Sequence, residues 1–295
     1  MRNFFTEIQN NKVKTVFMIL GFFAFNVLFT YIISLFYGPG SFSGMLLVSF
    51  LISVVSAFGS YYFSDQIILS ISGAREVLRK DDPEIYNLVE NLCLAAGLPT
   101  PKVYIIEDSA MNAFATGRDP EHGVVCLTTG IIGRLNKREL EGVIAHELAH
   151  IGNFDIRLAS IVSVLVGTTV LIADWISHGV FYSSSEDKEI TPLHLILLLV
   201  VLISAPIVAT LIQLSISRNR EYLADATAAS LTRYPEGLAS ALEKISSDDE
   251  ILEAANGATA HLYISNPFSN RQAVVSNLFS THPPIDERIR RLREM

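Results

Sequence analysis

Residues 146–150 read His146-Glu147-Leu148-Ala149-His150, an H-E-x-x-H pattern. Histidines four residues apart on a helix share one face, so both imidazoles can reach one metal ion. Glu147 lies about a hundred degrees further round the helix, where it can hold a water molecule bound to that metal. The pattern is typical of a hydrolase. The alternative is a helix with two surface histidines, and a third ligand would decide between them.

The pattern lies in a segment that is predicted to be helical. Apolar residues recur at helical spacing after residue 137, with no proline among them, at Leu140, Val143, Ile144 and Leu148. Asn136, with Glu139 three residues later, resembles a capping box at the start of a helix. The sequence therefore predicts a helix that begins after Asn136 and carries both histidines.

The composition indicates a membrane protein. Of 295 residues, 50% are hydrophobic and only 18% are charged, whereas a soluble domain carries about a quarter charged residues. The net charge is −8 without a sustained basic run, which argues against a nucleic-acid partner. Cys93 and Cys126 lie in apolar segments outside any C-x-x-C pair, so we expect buried thiols rather than a disulfide or a cysteine metal site.

Four apolar stretches divide the chain. Residues 15–37 are uncharged, long enough to cross a hydrocarbon layer of ~30 Å and too long for a signal-peptide core. Residues 43–64 form a second such stretch after a short turn. A second pair follows at 158–181 and 192–216, with a polar loop at 182–191 between them. These stretches predict four transmembrane helices arranged as two hairpins.

The remaining segments are water-soluble in character. They comprise an N-terminal segment at 1–14, a first part of a soluble domain at 65–157 and a second part at 217–295. The first part contains two predicted strands, Pro101 to Ile106 and Gly123 to Thr129, because these runs are rich in β-branched and apolar residues. The predicted helix of the H-E-x-x-H pattern follows the second strand.

Basic residues beside the spans predict the orientation of the chain. With four spans, most of them fall on one side: Arg2, Lys12, Lys14, Arg75, Arg79, Lys80, Arg157, Arg218 and Arg220. The opposite side has only Lys188, among acidic residues. We therefore expect a multi-pass integral membrane protein with both termini and both soluble segments in the cytoplasm.

A candidate third ligand follows the fourth span. Glu221 and Asp225 are one helical turn apart there. A helical hairpin returns the chain to the membrane face that it left, so this segment can pack against the histidine helix. Glu221 can then supply a carboxylate ligand, and Asp225 can accept a hydrogen bond from the other ring nitrogen of a ligand histidine. Glu221 alone could be a solvated charge, but the combination favours a zinc hydrolase.

Three motifs carry a resemblance to a known family. HELAHIGNFD, RNREYLADATAA and FSTHPPIDERIRRL occur in this order, and together with the spans they closely resemble the HtpX-type membrane zinc metallopeptidases. These enzymes are relatives of the CAAX prenyl endopeptidases and of the Oma-type mitochondrial protease. The resemblance implies an α-helical integral membrane protein with four transmembrane helices and a mainly α, zincin-like (α+β) cytoplasmic metallopeptidase domain containing a small sheet. It also implies quality control of membrane proteins under stress in a bacterial inner membrane.

The resemblance implies roles for individual residues. His146, His150 and Glu221 match the zinc ligands of the family, with one Zn²⁺ per subunit. Glu147 matches the general base, which takes a proton from the attacking water and passes it to the leaving amine. Asp225 matches the acid that supports a ligand.

Further residues are candidates for contact with the substrate. His282 matches a histidine thought to assist at the transition state, although it could be a capping or surface histidine beside two prolines. Asn112, Ala113 and Phe114 match a segment that borders the cleft. A peptide could also add by β-augmentation to an edge strand formed by Val124, Val125, Cys126 and Leu127. The alternative for that run is an ordinary core strand.

The function predicted from these observations is zinc-dependent hydrolysis of misfolded or damaged membrane proteins at the cytoplasmic face. The expected partners are membrane-protein or unfolded polypeptide substrates and the lipid bilayer. Only about six residues separate His150 from the third span, which places the zinc within roughly 10 to 15 Å of the interface. One alternative is a prenyl-protein endopeptidase, although such enzymes have more spans. Another is a non-proteolytic scaffold with structural zinc, although such zinc usually has four protein ligands.

Overall fold

The described part of the chain consists of helices and one small sheet. The computed structural model describes residues 13–24, 41–167, 218–268 and 283–295, with the single positions 9, 27 and 31. The helices are α1 (Val13–Ala24), α2 (Ser41–Ile71), α3 (Pro83–Ala96), α4 (Thr129–Arg134), α5 (Lys137–Gly152), α6 (Asp155–Gly167), α7 (Arg218–Thr232), α8 (Pro235–Ser246) and α9 (Ile285–Arg293). The strands are β1 (Arg75–Val77), β2 (Lys102–Ile106), β3 (Ala113–Thr116) and β4 (Val124–Thr128). Short 3₁₀ turns lie at Pro120–His122 and Ala260–Leu262.

The sheet is mixed, with strand order β1-β2-β4-β3. β2 and β4 run parallel and pair Tyr104 with Cys126, whereas β1 and β3 are antiparallel to their neighbours. Both predicted strands are confirmed, as β2 and β4. All five residues of β4 are buried, which explains why its sequence is a continuous apolar run without alternation. Cys93 and Cys126 are buried, as predicted.

The prediction of a peptide-binding edge strand after residue 123 is wrong. Val124, Val125, Cys126 and Leu127 belong to β4, which pairs with β2 on one side and with β3 on the other. Both sides of the β4 main chain are therefore hydrogen-bonded within the sheet, and no side remains for a peptide. The outer strand on this side of the sheet is β3.

The start of α5 has the predicted capping box. The Asn136 side chain accepts a hydrogen bond from the Glu139 N–H at 3.1 Å, and the Glu139 carboxylate accepts one from the Asn136 N–H at 2.8 Å. Buried Glu139 also accepts hydrogen bonds from Ser240 Oγ and Lys244 Nζ of α8, both at 2.7 Å. The cap therefore both starts the helix and fixes it to α8.

Helix α5 lies at the centre of the main hydrophobic core. Val143, Ile144 and Leu148 are fully buried between the sheet and the helices α3, α7 and α8. Each such side chain contributes about 1.5–3 kcal/mol when it leaves water. Because neighbours surround α5 on most sides, its polar residues His146 and Glu147 are also held inside the domain.

One described helix is long and apolar enough to cross a membrane, over Leu46–Ile71 of α2. It includes most of the predicted second span, and most of α1 lies within the predicted first span. The pair α5 and α6 passes the same test of length and composition together, with a bend of 83° between them. Most of the predicted third span, the loop at 182–191 and the fourth span lie outside the described residues. The number of four spans therefore stays a prediction.

The main chains of α5 and α8 approach each other closely at two glycines. A Cβ at Gly142 would lie 2.7 Å from the Leu238 nitrogen, and one at Gly237 would lie 2.6 Å from the Arg138 carbonyl oxygen. Both distances are too short for a real side chain. Glycine at these positions therefore permits the close packing of the two helices.

We predict that Gly142→Ala destabilises the protein by about 1–3 kcal/mol, because the added methyl group must push α8 away from α5. Thermal unfolding of the purified protein in detergent measures the effect. Gly133→Ala on α4 is the matched control, since a Cβ there meets nothing within 4 Å. Equal unfolding temperatures for the two variants would contradict the prediction.

Candidate active site

Three potential metal ligands converge between α5 and α7. The Nε2 atoms of His146 and His150 lie 3.1 Å apart. Glu221 on α7 places Oε1 3.5 Å from His150 Nε2 and Oε2 3.8 Å from His146 Nε2. Donors that each lie about 2.1 Å from a tetrahedral centre are about 3.4 Å apart. The donor set of two imidazoles and one carboxylate therefore fits one divalent ion, and the candidate ligand atoms all lie within 4.8 Å of one another.

The Nδ1 atom of His146 contacts a carboxylate that orients the imidazole ring. Asp225 Oδ1 lies 3.0 Å from His146 Nδ1, at the place predicted for this acid. Arg288 of α9 donates to both oxygens of Asp225, at 2.7 and 2.9 Å. A bidentate pair of this kind fixes the carboxylate plane, so the Nε2 edge of His146 is directed to the ligand position.

The charge state of Asp225 depends on Arg288. Burial alone would raise the pKa of this carboxyl group, but the guanidinium and the hydrogen bond with His146 outweigh burial and lower the pKa to about 2. Arg288 itself is only 1% exposed. Asp225 and Arg288 are therefore both buried ions, and the charge of each offsets the cost of burying the other.

His150 has a matching support that the sequence analysis missed. Asp155 Oδ2 lies 3.0 Å from His150 Nδ1, and Asp155 Oδ1 accepts a hydrogen bond from Arg220 Nη1 at 3.0 Å. Both side chains are largely buried. Asp155 and Arg288 lie inside two of the motifs that carried the family resemblance, and this position could have marked them as site residues. Their spacing in the sequence does not show which residues they contact.

Glu147 is buried beside the candidate ligands, with 2% of its surface exposed. Burial raises its pKa to about 7, and the neighbouring charge of Glu221 adds to the rise. The backbone N–H of Ala115 donates to Glu147 and opposes this shift. Glu147 therefore faces β3, and its carboxyl group can take up and release a proton near neutral pH.

The segment Asn112–Phe114 lies at this outer strand, one residue from the contact with Glu147. Its outer side is in contact with a later part of the chain: the Ala113 carbonyl accepts a hydrogen bond from Ile264 N at 2.9 Å. The Asn112 amide donates to the Ser265 carbonyl at 3.1 Å. The segment therefore lies near Glu147, but part of its main chain is already paired.

The remaining polar candidate, His282, lies outside the described residues. The structure therefore places the two histidines, Glu221, Glu147 and Asp225 together in one buried cluster, with β3 beside it. Such a cluster on an H-E-x-x-H helix, next to a small mixed sheet, is the arrangement of the metallopeptidase class of hydrolases.

Comparison with known proteins identifies the family. Residues 79–295 match Peptidase family M48, and the chain belongs to this family. It is 46% identical over 293 residues to the "Protease HtpX homolog" of Dictyoglomus turgidum, a match that covers 99% of this chain and 95% of the relative. The HtpX homologue of Tropheryma whipplei is 42% identical, over 99% of this chain and 98% of the relative. The homologue of Streptococcus gordonii is 38% identical, over 99% of each chain. The resemblance to HtpX-type proteases is confirmed.

Among solved structures, the crystal structure of S. mikatae Ste24p is similar over 97% of this chain and 66% of that chain. Its TM-score is 0.49 and its sequence identity 18%.

We predict that Arg288→Met destabilises the chelator-treated protein by about 3–5 kcal/mol at pH 7, because Asp225 loses its buried partner. The lowered pKa of Asp225 sets the pH dependence. Its ionised form stabilises the wild-type fold above about pH 4, and this contribution is lost as the pH falls towards 2. The difference between wild type and variant should therefore narrow over this range, which unfolding measurements at several pH values will show.

Arg291→Met is the control on the same helix. Arg291 pairs with Glu287 at 2.7 Å on the exposed side of α9 and lies over the Tyr222 ring. Exposed pairs of this kind contribute little to stability. An equal loss of stability for both variants would show that the buried pair with Asp225 has no special importance.

Proposed function

We propose that the chain is a zinc-dependent endopeptidase of the membrane, which hydrolyses peptide bonds in misfolded or damaged membrane proteins at the cytoplasmic face. The observation that carries the proposal is the cluster of His146, His150 and Glu221 with buried Glu147 beside it. The family supports peptide hydrolysis, and the donor set supports a divalent metal.

In this proposal His146, His150 and Glu221 hold one zinc ion per subunit. Bound zinc would act as a Lewis acid towards the substrate carbonyl and would make a water molecule more acidic. Three protein ligands are characteristic of catalytic zinc, whereas structural zinc is usually closed by four. The ligand cluster within the described residues has three members, which supports an enzyme over a scaffold.

Glu147 has the chemistry of the general base. Its carboxylate takes a proton from the attacking water and later gives it to the leaving amine, and burial, which raises the pKa of this carboxyl group, makes it a stronger base. Asp225 and Arg288 keep the His146 ring in place throughout. His282 is proposed to donate a hydrogen bond to the oxyanion that develops on the substrate. The peptide is proposed to lie along Asn112–Phe114, next to Glu147.

The surface of α2 supports a membrane location. Large apolar side chains along this helix are exposed, among them Leu47, Phe50, Val55 and Phe58, with 54–70% of their surface accessible. An apolar surface of this extent is unfavourable in water and favourable in lipid. With the predicted spans, it supports an integral membrane protein, of the bacterial inner membrane in our proposal.

The substrate class follows from the short distance between site and predicted membrane. α6 begins at Asp155, five residues after His150, and continues into the predicted third span. Cytoplasmic loops and tails of membrane proteins would come within reach of such a site. A prenyl-protein endopeptidase remains the alternative enzyme, and a prenylated peptide tests it against an unmodified one.

We predict that the detergent-purified protein cleaves an unfolded protein such as casein in a zinc-dependent manner. Glu147→Gln should lower the rate by at least about 10²-fold, because the general base is lost, while the zinc content stays the same. A chelator should abolish cleavage, and added zinc should restore it. Electrophoresis of the products and metal analysis measure these effects.

Glu141→Gln is the control for this experiment, since half-buried Glu141 lies on the same helix outside the cluster. It should cleave casein as the wild type does. If wild type and Glu147→Gln bind zinc equally and neither cleaves casein or a membrane-inserted substrate, the scaffold alternative is favoured over the protease.

The proposed orientation predicts the labelling of single cysteines in right-side-out membrane vesicles. Ser184→Cys, in the predicted outer loop, should react with a membrane-impermeant maleimide. Leu94→Cys on α3, where Leu94 is 76% exposed, should react only after the vesicles are permeabilised. The two native cysteines are buried and provide a low background. The reverse pattern would place the soluble domain on the outer face.

A further inference from the structure

Asp155 connects the surroundings of two candidate metal ligands. One of its oxygens lies 3.0 Å from His150 Nδ1, and the other accepts a hydrogen bond at 3.0 Å from Arg220. Arg220 directly precedes Glu221 at the start of α7. A single carboxylate therefore links a histidine of α5 to the residue next to the third ligand, and Asp155 and Arg220 are 65 positions apart in the sequence.

The two histidines have parallel supports. Each ring contacts a buried carboxylate through Nδ1, and each carboxylate contacts a buried guanidinium, in the series His146, Asp225, Arg288 and the series His150, Asp155, Arg220. Asp155 and Arg220 are each 6% exposed. At such burial a hydrogen-bonded ion pair holds its geometry with little competition from water.

We propose that Asp155 is a positioning residue of the metal centre, which fixes the ring of His150 and, through Arg220, fixes the first turn of α7 that carries Glu221. A hydrogen bond from Nδ1–H to Asp155 leaves the lone pair of Nε2 directed to the ligand position. Without it the His150 ring can rotate about its χ2 angle. The inference rests on the metal centre proposed above.

Metal binding by the full-length protein tests this inference independently of proteolysis. All variants are made in a Glu147→Gln parent, which prevents self-cleavage in detergent. The zinc affinity is measured by competition with a chelating dye, and the absorption spectrum of the Co²⁺ form reports the geometry of the ligands. We expect Asp155→Ala to weaken zinc binding by about 10- to 100-fold and to change the Co²⁺ spectrum.

Two further variants separate the two contacts of Asp155. Asp155→Asn still accepts a hydrogen bond but lacks the charge, so its zinc affinity should lie between those of the parent and Asp155→Ala. Arg220→Gln should weaken zinc binding as well. Because Arg220 is proposed to act through Asp155, the losses from Asp155→Asn and Arg220→Gln should not add in the double variant.

The chain offers a matched control in Asp119. This acid lies 2.6 Å from His122 Nδ1, and His122 is an exposed residue outside the site. Asp119→Asn therefore makes the same change as Asp155→Asn, in an aspartate–histidine pair outside the metal centre. It should bind zinc with the affinity of the parent and give the same Co²⁺ spectrum.

The possible failures are distinguishable. If the parent binds no zinc, the metal centre and the role of Asp155 are both wrong. If the parent binds zinc and the Asp155 variants match its affinity and Co²⁺ spectrum, only the role of Asp155 is wrong. If the variants lose affinity with an unchanged Co²⁺ spectrum and a much lower unfolding temperature of the metal-free protein, Asp155 stabilises the fold and does not position the ligand.

Discussion

The burial of several acidic groups side by side is the constraint on which the rest of the domain depends. Glu147, Glu221 and Asp225 are each at most 5% exposed, and like charges repel strongly where water is excluded. Arg288 offsets part of this cost, since it binds Asp225 and lies 3.7 Å from Glu221. Because Arg288 belongs to α9, the charge balance holds together three helices from distant parts of the sequence.

The same balance favours a divalent cation. With Asp155 and Arg220, the described cluster contains four buried carboxyl groups and two guanidinium groups. Carboxyl groups therefore outnumber guanidinium groups in this cluster. The raised pKa of Glu147 is the response of a carboxyl group to burial and to a neighbouring negative charge. A divalent ion beside Glu221 would offset part of the negative charge of these carboxyl groups, which is consistent with the proposed metal centre.

Local features of this fold could be predicted from the sequence, whereas most contacts between distant parts of the chain could not. The capping box at Asn136 is a contact between residues three apart, so its pattern is visible in the sequence. The place of β4 inside the sheet depends on pairing with β3 and β2, which no local pattern reveals. Arg220 is the clearest case, because it reads as a basic residue flanking a span but is a buried partner of Asp155. The position of Glu221 was predictable because the hairpin that the sequence predicts over residues 158–216 would limit where the chain can return.

The turn between α5 and α6 determines the orientation of the site relative to the apolar helices. α5 carries both histidines and Glu147 and ends at Gly152, and after a turn through Phe154, whose φ is +59°, α6 leaves at 83°. A positive φ is uncommon outside glycine and needs support from its surroundings. Arg157 provides contacts there, since its guanidinium lies 5.0 Å from the Phe154 ring and 5.8 Å from the Tyr61 ring of α2. The apolar helices α2 and α6 are thus attached directly beside the site and not through a flexible linker. In the proposed function, a site held in this way would reach those segments of a substrate that lie close to the attached helices, which would be a physical basis for selecting loops and tails near a membrane.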